Sequence, residues 1–372
     1  DVTRSANPQR LGTWDSPGPG YGVAVLEDFA YLADGQEGLQ VVDAREPTQP
    51  KPALETGMLP KADAVTVCGD RAVVSGWSLM LLDLANHSTP VQIDEISRGP
   101  NPDVMLVANR LFVVEEPTFD EELPDFLIFD VSAETNRWQA IGSLDVGDCL
   151  LNLAVAGDYA VLAGLTGLHV IDIGELAAPR KIGFGEIRSA LGGGIAIDSH
   201  FAYVADGLSG MHVYDLSNPA QPRRIGGYRP REPVQAVAVA GGQAYLACGS
   251  GGLEVLDIGS PQVPRRVGGN GAFEALAITI SQERVYVSGS DGLVILGAFH
   301  APPRFEPPAS LDATGFHSWL GGTIGQTYRL QRSQDLRTWE DWLRVTPTSN
   351  PMPILDTNAA SRGHRFYRAI SP

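Results

Sequence analysis

Short apolar runs, bounded by Gly, Pro, Asp or Ser, recur along the first 300 residues. The clearest set lies in 193–228: Gly-Gly-Ile-Ala-Ile-Asp, Phe-Ala-Tyr-Val-Ala-Asp-Gly, Gly-Met-His-Val-Tyr-Asp-Leu and Pro-Arg-Arg-Ile-Gly-Gly-Tyr. Runs of this length, rich in β-branched and aromatic residues and split by turn formers, predict four strands joined by tight turns. One four-stranded sheet leaves both faces uncovered, and the chain repeats the unit. The second run returns as Ala30-Tyr31-Leu32-Ala33-Asp34, Ala72-Val73-Val74-Ser75, Leu111-Phe112-Val113-Val114, Ala160-Val161-Leu162-Ala163, Ala202-Tyr203-Val204-Ala205-Asp206, Ala244-Tyr245-Leu246-Ala247 and Val285-Tyr286-Val287-Ser288. The third run ends on Asp43, Asp83, Asp130, Asp172, Asp215 and Asp257, with Gly297 in the seventh copy, at spacings of 40, 47, 42, 43, 42 and 40 residues. A period near 40–50 residues with four strands per copy predicts a β-propeller, here of seven blades.

The ends of the array are complementary. Pro8-Gln9-Arg10-Leu11-Gly12-Thr13-Trp14 matches the fourth runs Pro222-Arg223-Arg224-Ile225-Gly226-Gly227-Tyr228 and Pro264-Arg265-Arg266-Val267-Gly268, yet no first three strands precede it. The seventh copy lacks a fourth strand. The N-terminal strand is therefore expected to complete the last blade beside Leu293 to Leu296, closing the ring and removing open sheet edges. The propeller should span 8–300. Residues 301–308, with Pro302, Pro303, Pro307 and Pro308, predict a stiff linker. Beyond it, 304–372 should form a small β-sandwich-like domain with a core around Trp319, Tyr328, Leu330, Trp342 and Phe366. Its strands are expected near 315–320, 327–332, 342–345, 352–355 and 364–369.

Charge narrows the partners. The chain of 372 residues carries a net −17, which argues against nucleic acid, since phosphate binding needs a basic footprint. Residues 304–372 hold eight Arg and six acids, a net +2, so 1–303 carry −19. Cys68, Cys149 and Cys248 have no metal-ligand spacing and read as small apolar filler. The apolar stretch 150–173 divides into three strands of the repeat, so no membrane span is expected. A chain beginning with Asp1 fits removal of a signal peptide.

Gly38-Leu39-Gln40-Val41-Val42-Asp43, Gly167-Leu168-His169-Val170-Ile171-Asp172 and Gly252-Leu253-Glu254-Val255-Leu256-Asp257 resemble the LVIVD-repeat family. The resemblance spans about four fifths of the chain and implies a β-propeller in an extracytoplasmic setting: secreted, periplasmic or at the cell surface. The copies at Ser78–Asp83, Asp125–Asp130 and Leu293–Gly297 depart most. Tyr-Arg-Leu-Gln-Arg-Ser-Gln-Asp-Leu-Arg-Thr-Trp and the closing Phe-Tyr-Arg-Ala resemble a small β-sandwich appended to secreted proteins of Planctomycetes and Verrucomicrobia.

Chemistry is expected at the rim where the second-to-third-strand turns meet the loops between blades. Blade 3 has the longest such turn, 115–125, holding Glu115, Glu116, Asp120, Glu121, Glu122 and Asp125. It reads as an acidic element for a cation or a basic partner, against the plainer reading of a solvated charge run. Asp34 and Asp206 share one repeat position at this rim, and Asp103 and Asp148 are expected in inter-blade loops there. They could line an acidic channel mouth, balanced by Arg98, Arg188, Arg229 and Arg231, or simply bind their own turns. His169 and His212 share a column with Gln40, Met80, Leu127 and Glu254, so that column reads as a tolerant blade face. The Asp43 column reads as turn formation, each carboxylate accepting nearby backbone N–H groups. No nucleophile elbow, zincin, Cys-x-x-Cys or phosphate-loop pattern occurs. The expected function is a non-enzymatic secreted or surface binding or scaffold protein, acting through the rim on a protein partner or on copies of itself. No cofactor is expected, apart from a divalent cation such as calcium on the acidic residues. The alternatives are a metal-dependent propeller hydrolase or lactonase using rim carboxylates, and a carbohydrate-binding protein.

Overall fold

The computed structural model describes residues 8–53, 61–97, 103–115, 124–132, 138–187, 193–297, 304–312, 314–321, 327–334, 337–346, 352–357, 359 and 366–370. Among these the structure is all-β, with no α-helix. Seven four-stranded antiparallel sheets follow one another, each in simple meander order. Sheet 5 is representative: Ile195–Asp198, Phe201–Ala205, Met211–Asp215 and Arg223–Tyr228 lie side by side in that order. The exception is the last sheet, where Arg10–Trp14 occupies the fourth place beside Gly292–Gly297, pairing Trp14 with Leu293 and Arg10 with Leu296.

Middle strands are buried on both faces, because each sheet packs against a sheet on either side. Burial is visible as seven apolar clusters, one at each junction. They join sheets 1 and 2, 2 and 3, 3 and 4, 4 and 5, 5 and 6, 6 and 7, and 7 and 1. First strands also touch in sequence around this array, and Gly22–Leu26 of sheet 1 touches both Ala64–Cys68 of sheet 2 and Ala277–Ser281 of sheet 7. The architecture is propeller-like.

The Asp column behaves as its turn position demands. Asp43, Asp83, Asp130, Asp172, Asp215 and Asp257 each accept the backbone N–H two residues on, at 2.7–3.1 Å. Hydrogen bonds from Arg45 hold the Asp43 carboxyl below the usual range. The same local bond explains why a column of six acids needs no metal.

The described residues within 304–370 form two three-stranded sheets: Arg304–Asp312, Gly315–Gly321 and Met352–Asp356 in one, Glu340–Val345, Tyr328–Ser333 and Phe366–Ile370 in the other. A cluster of Leu320, Tyr328, Leu330, Val345 and Ile354 has Trp342 against it, and Tyr367 stacks on Phe316 at 4.3 Å between ring centres. Two expectations change here. Trp319 and Phe366 face outward, because strand alternation buries Leu320 and turns its neighbour to solvent. The proline-rich stretch is not linker throughout, since a strand starts at Arg304.

Candidate functional site

The rim is built by one repeated device. The turn after the second strand of one sheet pairs with the loop entering the next: Gly35 with Ala62, Gly207 with Val234, Gly249 with Ala275. A glycine opens the third strand in several copies. Gly210 has φ +90°, and a Cβ there would meet the Tyr228 carbonyl oxygen at 2.4 Å, so backbone approach demands glycine. In sheet 3 that place is taken by Asp125, and its carboxylate spans to the backbone N–H groups of Val146, Gly147 and Asp148 at 2.7, 3.0 and 3.3 Å. Burial raises its pKa and those three donors oppose the rise.

Asp34 and Asp206 are buried rather than lining an open mouth. Asp34 accepts from Ser16 Oγ at 2.8 Å and from the Gly18 N–H at 2.9 Å; burial nonetheless raises its pKa. Asp206 Oδ2 lies 2.9 Å from His212 Nε2, while its Oδ1 meets no donor among the described residues. Asp148 Oδ2 bonds His169 Nε2 and Thr166 Oγ1, both at 2.7 Å. Burial pushes Asp148 up, but its bonds to His169 and Thr166 outweigh that and leave it below the usual range. Burial lowers the pKa of His169, against its hydrogen bond to Asp148.

The histidine column is therefore not a tolerant face. His169 and His212 are buried and each is fastened to a rim carboxylate. Sequence reasoning missed this because Asp206 lies six residues before His212 whereas Asp148 lies 21 residues before His169, on a different loop. The signal was the unbroken apolar character of the third strands: His169 and His212 sit in strands buried on both faces, where an imidazole requires a partner.

Half-buried Asp103 sits at the start of the first strand of sheet 3 and accepts the Leu153 N–H of sheet 4 at 3.0 Å. Burial pushes its carboxyl up to about 6, against hydrogen bonds from Leu153, Val104 and Asn152. Asn152 Oδ1 in turn accepts the Gly193 N–H of sheet 5 at 3.2 Å. A polar thread thus crosses three sheets at the rim. It ends at a pocket of about 10 Å³ between sheets 4 and 5, lined by Leu151, Asn152, Ala163, Ile187, Val204 and Asp206.

Glu115 is partly buried at the foot of the acidic turn, where its N–H bonds the Asp125 carbonyl at 2.9 Å. Glu116, Asp120, Glu121 and Glu122 lie outside the described residues, as do Arg98 and Arg188. Arg229 and Arg231 are exposed. Among the described residues no three His, Cys, Asp or Glu side chains converge as a metal shell. Cys68, Cys149 and Cys248 form no disulfide among the described residues, and Cys248, in the repeat place of Asp34 and Asp206, is pushed up to about 12 by burial and then by Glu254. No described helix is long and apolar enough to cross a membrane.

Over this bonded layer stand large apolar side chains. Trp77, Leu165 and Leu208 sit in second-to-third-strand turns at 64%, 51% and 63% exposure, and Tyr21 in the loop entering sheet 1 at 52%. Lys61 Nζ lies 4.9 Å from the Trp77 ring centre.

No curated protein matches the chain. Two similar solved structures show the fold alone. The computationally designed Ika8 protein is 10% identical, with 78% of this chain and 99% of that one covered and a TM-score of 0.56. Sqt1 of Saccharomyces cerevisiae is 9% identical, with the same coverage and a TM-score of 0.58. The LVIVD repeat matches residues 17–54, 151–183, 192–229 and 233–268, that is sheets 1, 4, 5 and 6, and leaves sheets 2, 3 and 7 unmatched. This all-β, propeller-like chain carries LVIVD repeats in those four segments.

Proposed function

We propose that the chain is an extracytoplasmic, non-enzymatic binding protein: a seven-bladed propeller closed by its N-terminal strand, with a separate small β-sandwich, docking a protein partner on the loop rim. The carrying observation is that Tyr21, Trp77, Leu165 and Leu208 stand exposed on one rim, above carboxylates and imidazoles held in short-range structural bonds. Aromatic anchors such as Trp and Tyr are what protein hot spots use, and exposed apolar patches rimmed by polar residues mark interaction sites. The carboxylates of Asp34, Asp125 and Asp148 are taken up by structural hydrogen bonds. The −19 charge on 1–303 favours a basic partner. The extracytoplasmic setting is what the resemblance to the LVIVD-repeat family implies. The acidic turn 115–125 would add electrostatic attraction that weakens with salt, since exposed charges are screened over ~10 Å at ~0.1 M.

Photo-crosslinking tests this reading. A photoreactive residue at position 77 or 208 is compared with one at Asp70 or Ser199, in first-to-second-strand turns. A discrete adduct in extracts of the source cells should form only from 77 and 208, and unlabelled protein should compete it away. A variant carrying Trp77→Ala and Leu208→Ala should not compete. Equal labelling from both sets of positions overturns the rim reading, and an adduct made only of this chain would identify the partner as a second copy.

A further inference from the structure

We infer that the pocket between sheets 4 and 5 receives one primary ammonium group, supplied by a lysine of the docked partner. The inference rests on the rim reading above and gives the chemistry of one contact within it.

Asp34 and Asp206 hold the same repeat position, but only Asp34 has both oxygens met by donors of the described chain. Asp206 is 1% exposed, is bound by His212 on Oδ2 alone, and its Oδ1 meets no donor among the described residues. A buried acceptor without a donor is costly, and for a carboxylate the strongest remedy is a charged donor. Asp206 lines the pocket, and so does Asn152, whose Oδ1 accepts a single bond from Gly193 and retains a second lone pair. Both residues therefore border one small space.

Size selects the donor. About 10 Å³ is the room of one water-sized group. A planar guanidinium with three nitrogens is too large, whereas an ammonium tip with three rotatable donors matches. Leu151, Ala163, Ile187 and Val204 make the remaining wall apolar, suited to the methylene stem of lysine. Exposed Leu165 and Leu208 belong to the turns that follow Ala163 and Asp206, so a chain docked on those side chains passes the pocket. The strongly negative residues 1–303 draw a cation there.

The test needs no partner. Protein with ¹⁵N-labelled histidine, at about pH 8 where an ordinary imidazole of pKa ~6.5 is neutral, is titrated with butylammonium, sodium and tetramethylammonium chlorides at matched ionic strength. The His212 ring signals should move saturably with butylammonium alone, while those of His169 stay still. Nα-acetyl-lysine amide should reproduce the movement and Nα-acetyl-arginine amide should not. Asp206→Asn should abolish it. So should Ala163→Val, which fills the pocket and leaves the carboxylate intact; both variants are checked for cooperative unfolding first. The inference is overturned by no saturable response, by an equal response to sodium (a monovalent metal site), by persistence of the response in Asp206→Asn, or by crystals grown with butylammonium that hold ordered water only. A negative result here leaves the crosslinking at 77 and 208 unaffected, and the converse also holds.

Discussion

Sheets 1 and 5 carry the same turn, Ala-Asp-Gly-x-x-Gly, and wire it differently. The backbones agree: the Asp34 N–H bonds the Gly38 carbonyl at 2.9 Å and the Asp206 N–H bonds that of Gly210 at 2.7 Å. The side chains part. Asp34 reaches into the segment that joins Arg10–Trp14 of the last sheet to Gly22–Leu26 of the first, gripping Ser16 and Gly18. Asp206 turns to His212 on its own sheet. In sheet 1 the place of His212 is held by Gln40, which donates to the Glu37 carbonyl at 2.8 Å and leaves Asp34 free for the incoming loop. A motif of six residues fixes its own backbone. What its carboxylate holds depends on the third strand and on the loop arriving from the preceding sheet. The difference is that one Asp fastens the chain's crossing from last sheet to first, and the other leaves an oxygen bare.

The largest effect should come from breaking that crossing outright. Deleting residues 1–16 strips Arg10–Trp14 from Gly292–Gly297, uncovers Leu293 and Ile295 where Leu11 and Trp14 packed, and removes the Ser16 donor of Asp34. Unpaired edges aggregate, and the expected loss is comparable with the whole ~5–15 kcal/mol of a typical fold. Thermal unfolding with light scattering reads it. A truncated protein that melts like the full chain would show that the N-terminal strand is dispensable, and with it the special role of Asp34.

Next in size is Asp34→Ala, which strands the Gly18 N–H, leaves the Ser16 hydroxyl only its bond to the Gly18 carbonyl, and should cost about 1–3 kcal/mol in urea unfolding. Asp206→Ala removes one bond and one bare oxygen, so its cost should be smaller. Equal costs would mean that the two wirings carry equal energy.

Much of this was legible in the chain. The repeat columns located the strands, the Asp turn bonds and the pairing partner of Arg10–Trp14, because local turn chemistry and strand alternation are written within a few residues. The rim pairs were not. Asp148 and His169 come from different loops, and Asp34 and Asp206 are identical in local sequence, so their partners follow from how successive sheets pack. In 304–370 no repeat existed to set the register. Alternation in Tyr328-Arg329-Leu330 places Tyr328 and Leu330 inside, while Trp319, expected in the same core, is exposed.

His212→Gln sharpens the comparison by giving sheet 5 the side chain of sheet 1. By the precedent of Gln40, the new amide should turn to the carbonyl of Ser209 and leave both Asp206 oxygens without the imidazole. The expected cost is about 1 kcal/mol. The reciprocal Gln40→His should be nearly neutral, since Asp34 is already satisfied. A neutral His212→Gln would mean that the imidazole contributes nothing to holding Asp206.

The smallest effect concerns Asp103, whose thread through Asn152 ends beside Asp206. Burial raises its carboxyl to about 6, so the folded protein keeps this proton at a pH where the unfolded chain has released it. Stability from this group is therefore present at low pH and falls between about pH 4, the ordinary carboxylate value, and about pH 6. Asp43 and Asp148, both lowered, act with the opposite sign and lose stability as pH falls. Asp103→Asn keeps an acceptor oxygen and cannot titrate. Subtracting wild-type from variant unfolding free energies across that window should give a difference that rises with pH and levels off above about 6. A flat difference would show that Asp103 is solvated enough to ionise as it does in the unfolded chain, and the polar thread would then begin at Asn152.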